Sequence, residues 1–160
     1  MSRGYEHFTD WSELPGLVAE HSAQTAVLDI EPLVAPWYGS EDELDRGIDR
    51  VVEQLAQVPG LRAVCFATNS ARRPSHLPGA PGIRVSYVLS ARKPLHLGPF
   101  AQLPRPGVVV GDQIMTDGLL ARRLDFAFLH YRHPQGAPIG PRLLDASGQL
   151  LRPLVFRHQA

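Results

Sequence analysis

The strongest constraint on the fold of this chain is a recurrence of short apolar runs of strand length, separated by stretches long enough to cross over a sheet. Thr25-Ala26-Val27-Leu28-Asp29-Ile30 is the first, with the composition of a strand buried on both faces. Ala63-Val64-Cys65-Phe66-Ala67 reads as the second, Ile83-Arg84-Val85-Ser86-Tyr87-Val88 as the third, Gly107-Val108-Val109-Val110 as the fourth and Phe126 to His130 as the fifth. Between the first two, Ser40 with Glu43 three residues on forms a capping-box signature. Leu44, Ile48, Val51, Val52 and Leu55 then follow a helical period until Pro59-Gly60 stops it. A second helix is predicted from about Met115 to Leu124. Strands alternating with helices or crossovers predict an α/β fold: a Rossmann-like three-layer sandwich around a five-stranded, mainly parallel sheet.

Length bounds this picture, since 160 residues suffice for one core and not for two of ordinary size. One domain over 1–160 is expected, with its core at about 14–134. A tail at 135–160, punctuated by Pro138, Pro141 and Pro153, has weak periodicity and should pack on the domain. Sixteen basic against sixteen acidic residues give a formal net charge of +0, which argues against general nucleic-acid binding. No apolar run approaches the roughly 20 residues of a membrane span. The single cysteine, Cys65, excludes an internal disulfide framework and a cysteine-based zinc site. The acidic start of the chain lacks a signal-peptide core, so a cytoplasmic location is expected.

In such sheets chemistry gathers at the carboxyl ends of the strands. Asp29 closes the first strand, Thr68 and Asn69 follow the second, Lys93 follows the third after a loop, and Gly111-Asp112 close the fourth. Lys93 is also the only lysine among the 16 basic residues. A chain that uses arginine everywhere else keeps a lysine where a compact ammonium is needed. Taken singly, each of these residues is an ordinary turn former, and their order and spacing are what carry meaning. His130 and His133 form no zinc motif and read as surface or substrate-facing. Arg72-Arg73 and Arg122-Arg123 read as solvated faces, with an anion grip as the alternative.

With those residues in place, the stretch from about Leu14 to Pro134 resembles a haloacid dehalogenase (HAD) superfamily phosphatase, most closely the small YqeG-like group of subclass IIIA. Asp29-Ile30-Glu31-Pro32-Leu33 stands at the Asp-x-Asp-x-Thr motif, Thr68 at the second motif, Lys93-Pro94 at the third, and Gly111-Asp112 with Asp117 at the fourth. The resemblance implies a nucleophile at Asp29 and a general acid and base at Glu31. It implies Mg²⁺ held by Asp29, Asp112 and the backbone carbonyl of Glu31, with Asp117 holding a metal-bound water or orienting Lys93. Thr68, through hydroxyl and amide, and Lys93 would stabilise the phosphoryl oxygens, with Asn69 beside them in substrate binding.

Two positions depart from the family, for Glu31 stands where an Asp is usual and Leu33 where a Thr is usual. Glu moves its carboxylate out by one methylene, and Leu lacks a hydroxyl that would fix the loop. Cap insertions also lack room, because only about ten residues separate Glu31 from the helix beginning near Glu41. An open site suits a bulky phosphate ester, as a phosphorylated small molecule or a lipid, or a site covered by a partner subunit. A homo-oligomer is therefore left open. The expected function is a Mg²⁺-dependent phosphomonoesterase. The alternatives are a degenerate phosphate- and metal-binding protein and an enzyme of non-hydrolytic chemistry.

Overall fold

The computed structural model describes residues 4–134 and 139–156. Six strands, β1 (Tyr5–Phe8), β2 (Thr25–Leu28), β3 (Ala63–Ala67), β4 (Arg84–Val88), β5 (Gly107–Gly111) and β6 (Ala127–Tyr131), form one sheet in the order β1-β6-β5-β2-β3-β4. Every neighbouring pair is parallel. The helices are α1 (Leu14–Glu20), α2 (Glu41–Leu55), α3 (Leu119–Leu124) and α4 (Ile139–Val155). Among the described residues no helix is long and apolar enough to cross a membrane.

The sheet thus has six strands and not the expected five, and it is wholly parallel. The extra strand, β1, is only Tyr-Glu-His-Phe, with no apolar run to mark it. It is made by pairing, Tyr5 with Phe128 and His7 with His130, across a separation that local pattern cannot reveal. The core therefore begins ahead of residue 14, and Phe8 is buried in it. The expected helix from Met115 is two pieces. A single π-type turn covers Ile114–Gly118, where the Gly118 amide donates to the Gln113 carbonyl at 3.2 Å, and α3 follows. The tail contains α4, which the prolines obscured. Pro141 falls in its first turn, where no intrahelical amide is needed, and Pro153 in its last. Just beyond α4, Phe156 stacks on Phe128 of β6 at 5.7 Å between ring centroids. Pro138 and the ends 1–3 and 157–160 lie outside the described residues.

Alternation along the strands divides the core into two layers. Ala26, Leu28, Val64, Phe66, Val108 and Val110 face α1 and α2, while Val27, Cys65, Val109 and Phe128 face α3 and the end of α4. Helix α2 starts as its sequence requires. The Ser40 hydroxyl accepts from the Glu43 amide at 3.2 Å, and the Glu43 carboxylate accepts from the Ser40 amide at 2.7 Å. Its buried stripe of Leu44, Ile48, Val51, Val52 and Leu55 is the predicted one. Gly47 completes that stripe for a steric reason. A Cβ there would lie 1.9 Å from the Val34 carbonyl oxygen, so α2 rests on the backbone of the loop that follows β2.

Topology then positions the site. The chain builds outward from β2 through β3 to β4, returns to the other side of β2 to form β5, and continues to β6. The carboxyl ends of β2 and β5 are neighbours, Leu28 opposite Val110, at the point where the direction of winding reverses. Loops leaving these two strands turn away from each other and leave a crevice between them.

Candidate active site

Asp29 is the first residue beyond β2, and its amide donates to the Val110 carbonyl at 2.8 Å. The side chain is thereby fixed at the mouth of the crevice. Lys93, on the loop after β4, reaches across to it. Its ammonium donates to Asp29 Oδ1 and to Asp117 Oδ1, both at 2.7 Å, and the side chain is 2% exposed. Burial alone would lower the lysine's pKa, yet Asp117 and Asp29 together hold it above its ordinary value. Lys93 stays charged, linking two carboxylates that arrive from different loops.

Asp117 is fully buried under the strand end. Gly111 makes this feasible, since a Cβ at 111 would stand 2.2 Å from Asp117 Oδ2. The widened turn at Ile114–Gly118 brings the carboxylate back over β5, where Oδ2 also accepts from the Gln113 amide at 3.3 Å. Burial raises the Asp117 pKa first, Asp29 adds to this, and Lys93 opposes both. Both Asp117 oxygens are engaged, which suits it to orienting Lys93.

Asp112 is different. Its Oδ1 is buried with no hydrogen-bond partner among the described residues, and burial, followed by the charges of Asp117 and Asp29, pushes its carboxyl up to about 8. Asp29, Asp112 and Asp117 each offer an oxygen, all within 4.8 Å of one another. With all three ionised, one ammonium would leave negative charge uncompensated at low dielectric. A hard divalent cation with a preference for oxygen ligands fits that donor set.

The loops from β3 and β4 supply the opposite wall. Thr68 is buried, its amide donates to the Val88 carbonyl at 3.2 Å, and its hydroxyl pairs with the Ser70 hydroxyl at 2.9 Å. The amide expected to meet a phosphoryl oxygen is therefore already bonded, while the hydroxyl, which accepts from the Ser70 amide at 3.1 Å, still has its own proton to donate in that role. Asn69 clasps Lys93, accepting from its amide at 2.7 Å and donating to its carbonyl at 3.2 Å. That makes it a brace for the lysine. Arg123 braces the same loop from α3, donating to the carbonyls of Pro94 at 2.6 Å and Leu95 at 3.0 Å, and so is not a bare solvated face.

Glu31 lies on the cavity wall but is paired with Arg72, whose guanidinium donates to Oε1 at 3.0 Å. Arg72 also donates to the carbonyls of Pro36 at 3.0 Å, Gly39 at 2.8 Å and Ser40 at 2.9 Å. The arginine read as solvated is a four-point clamp between the acid position and the loop before α2. Burial nonetheless leaves the Glu31 pKa raised, with the Arg72 hydrogen bond opposing it. Leu33, the other departure, is 1% exposed and belongs to the core under α2. Its apolar side chain anchors the loop by packing where a hydroxyl was expected. On the same loop Tyr38 is 94% exposed at φ 61°, a left-handed backbone that costs a residue with a β-carbon roughly 1–2 kcal/mol.

His130 corrects its expected surface position. It is 1% exposed, with Nε2 3.0 Å from the Asp112 carbonyl and Nδ1 2.8 Å from the Tyr5 hydroxyl, so it steadies the β5 exit from beneath. The resulting cavity, about 390 Å³, brings together Asp29, Glu31, Thr68, Asn69 and Lys93. Ser70, Gln113 and Thr116 also line it and were not singled out from sequence. Serine and threonine in turns are too common to signal a site. No protein-family model matches the chain, and neither does any curated protein or solved structure.

Proposed function

We propose that the chain is a Mg²⁺-dependent phosphomonoesterase of the haloacid dehalogenase type, with Asp29 as the residue that takes up the phosphoryl group. The observation that carries this reading is the buried, unpartnered Asp112 Oδ1 in a cluster of three carboxylates around one lysine. Held by Asp29, Asp112 and, as the resemblance implies, the Glu31 carbonyl, Mg²⁺ would screen the repulsion between carboxylate and phosphate and polarise the phosphoryl group.

This chain's residues do the rest. An Asp29 oxygen attacks phosphorus as the ester P–O bond breaks, and Glu31 gives the departing oxygen a proton. Lys93 stabilises the phosphoryl oxygens as charge moves, with the Thr68 hydroxyl beside it. In the second half Glu31 takes a proton from water, the water oxygen attacks phosphorus, and Asp29 is released as a carboxylate. The raised Glu31 pKa favours its proton-donating form.

A binding or non-hydrolytic reading has one observation of its own, the engagement of Glu31 by Arg72. Turnover of a phosphomonoester panel with Mg²⁺, and trapping of beryllofluoride, decide between them. The parent should do both. Asp29→Asn should lose turnover by on the order of 10⁴-fold or more while melting as the parent does. Glu31→Gln should lose about 10²–10⁴-fold, and Glu31→Asp should match or exceed the parent. Hydrolysis gained only in Glu31→Asp would leave the metal site and overturn the phosphatase.

A further inference from the structure

A second cavity, about 860 Å³, adjoins the first and takes no part in the chemistry just described. Trp37 and Tyr38 line both, so the two spaces meet along the loop before α2. One wall of the larger cavity is a single face of α2, carrying Glu43, Arg46, Gly47 and Arg50 at helical spacing. The opposite wall ends at Tyr131 and His133, the latter edge-on to Trp37 at 5.5 Å.

Three features of this space point to a ligand. Arg46 is exposed and makes no hydrogen bond or ion pair among the described residues, and Arg50 one turn on rests over the Trp11 ring at 5.1 Å. The one acid here, Glu43, is committed to the Ser40 amide. Two guanidinium groups therefore face the cavity with no carboxylate paired to them. Second, Trp11, Trp37, Tyr38 and Tyr131 bring four aromatic rings to the lining, whereas the aliphatic side chains of Leu33 and Val34 are buried. Third, Tyr38 holds a large ring almost wholly in solvent, on a strained backbone, at the junction of the two cavities. Strain and an uncovered ring coincide where a bound group would cover the ring.

We infer that this cavity is the leaving-group subsite of the proposed phosphatase, taking a phosphomonoester whose alcohol part carries a flat ring and a second anionic group. The ring lies against Trp37 and Tyr38, and the second anion meets Arg46 and Arg50. The inference rests on the phosphatase reading for its name but not for its contacts, which a ligand makes without turnover. An acyl chain is disfavoured, since it would leave Arg46 and Arg50 without an anion.

The test compares a nucleoside 3′,5′-bisphosphate, a nucleoside monophosphate and glycerol phosphate with the full chain and Mg²⁺, by calorimetry and by turnover. The bisphosphate should bind at least 10-fold tighter than either of the others. In Arg46→Glu/Arg50→Glu that preference should collapse, with KM for the bisphosphate rising and kcat nearly constant. Tyr38→Gly should weaken binding of both nucleotides while its Tm stays equal or rises, an outcome that a purely structural tyrosine would not give. Preference retained in the double variant overturns the subsite. So does tighter binding of phosphatidic acid vesicles than of the bisphosphate. Bisphosphate binding that is lost in the double variant, with no turnover of any ester, keeps the subsite and removes the phosphatase.

Discussion

The two halves of the crevice are built on opposite terms. On the β3 and β4 side the amide groups are already answered by the protein. Asn69 uses both ends of its amide on Lys93, and the Thr68 amide is bonded to Val88. On the β2 and β5 side Asp112 keeps a buried oxygen with no partner among the described residues, and oxygens of three aspartates crowd within 4.8 Å. One half has the hydrogen bonds of its named amides made within the protein, and the other is electrostatically incomplete. The contrast separates residues that hold the fold from residues that await a charge.

Substitutions on the two sides should therefore differ in sign as well as size. Lys93→Met, on the β3 and β4 side, leaves Asp29 and Asp117 as buried charges without their counterion, and should destabilise the chain by about 3–5 kcal/mol in denaturant titration. Lys93→Arg should fold better than Lys93→Met yet bind a phosphate analogue more weakly than the parent, because a planar guanidinium does not fit between two carboxylates set for one ammonium.

Asp112→Asn should act in the other direction. Without metal it should stabilise the chain by about 1–4 kcal/mol, and Mg²⁺ affinity by calorimetry should collapse. The pH dependence follows from the same group. Between its ordinary value near 3.8 and the folded value of about 8, the folded chain keeps a proton on Asp112 that the unfolded chain has lost. Stability of the metal-free protein should then fall as pH rises through that window, and Mg²⁺ should give its largest Tm increase toward pH 8. Asp112→Asn should flatten that slope. A metal-free parent that gains stability over the same window would erase the contrast between the halves.

The smallest effect is expected at Asn69. Asn69→Ala removes two hydrogen bonds to the Lys93 backbone and should cost about 1–3 kcal/mol. Beryllofluoride trapping should weaken along with it. A loss of trapping at unchanged Tm would instead make Asn69 a direct phosphate ligand.

Legibility in the sequence followed locality. Ser40 and Glu43 mark the start of α2 because both halves of the signal lie within one turn, and Asp29, Lys93 and Gly111-Asp112 stand where short apolar runs end. β1 escaped because its four residues become a strand only by pairing with β6. The Arg72 clamp escaped for a related reason. Its four acceptors lie 32 to 41 residues away, three of them backbone carbonyls that look alike in any sequence. His130 was misplaced because alternation along β6 does not tell which face the neighbouring β1 and the β5 exit will close over.

The notch at Gly111 carries a consequence for how this sequence can drift. A methyl at 111 and a carboxylate at 117 compete for the same space, 2.2 Å apart. Among descendants of this chain, a side chain should therefore appear at 111 only where 117 has already lost its acid, and the reverse order of change should be barred. The two positions form a ratchet, because once 111 is filled the buried acid has no path back. A lineage that takes that step has given up the charge cluster for good while the rest of the sheet stays free to persist.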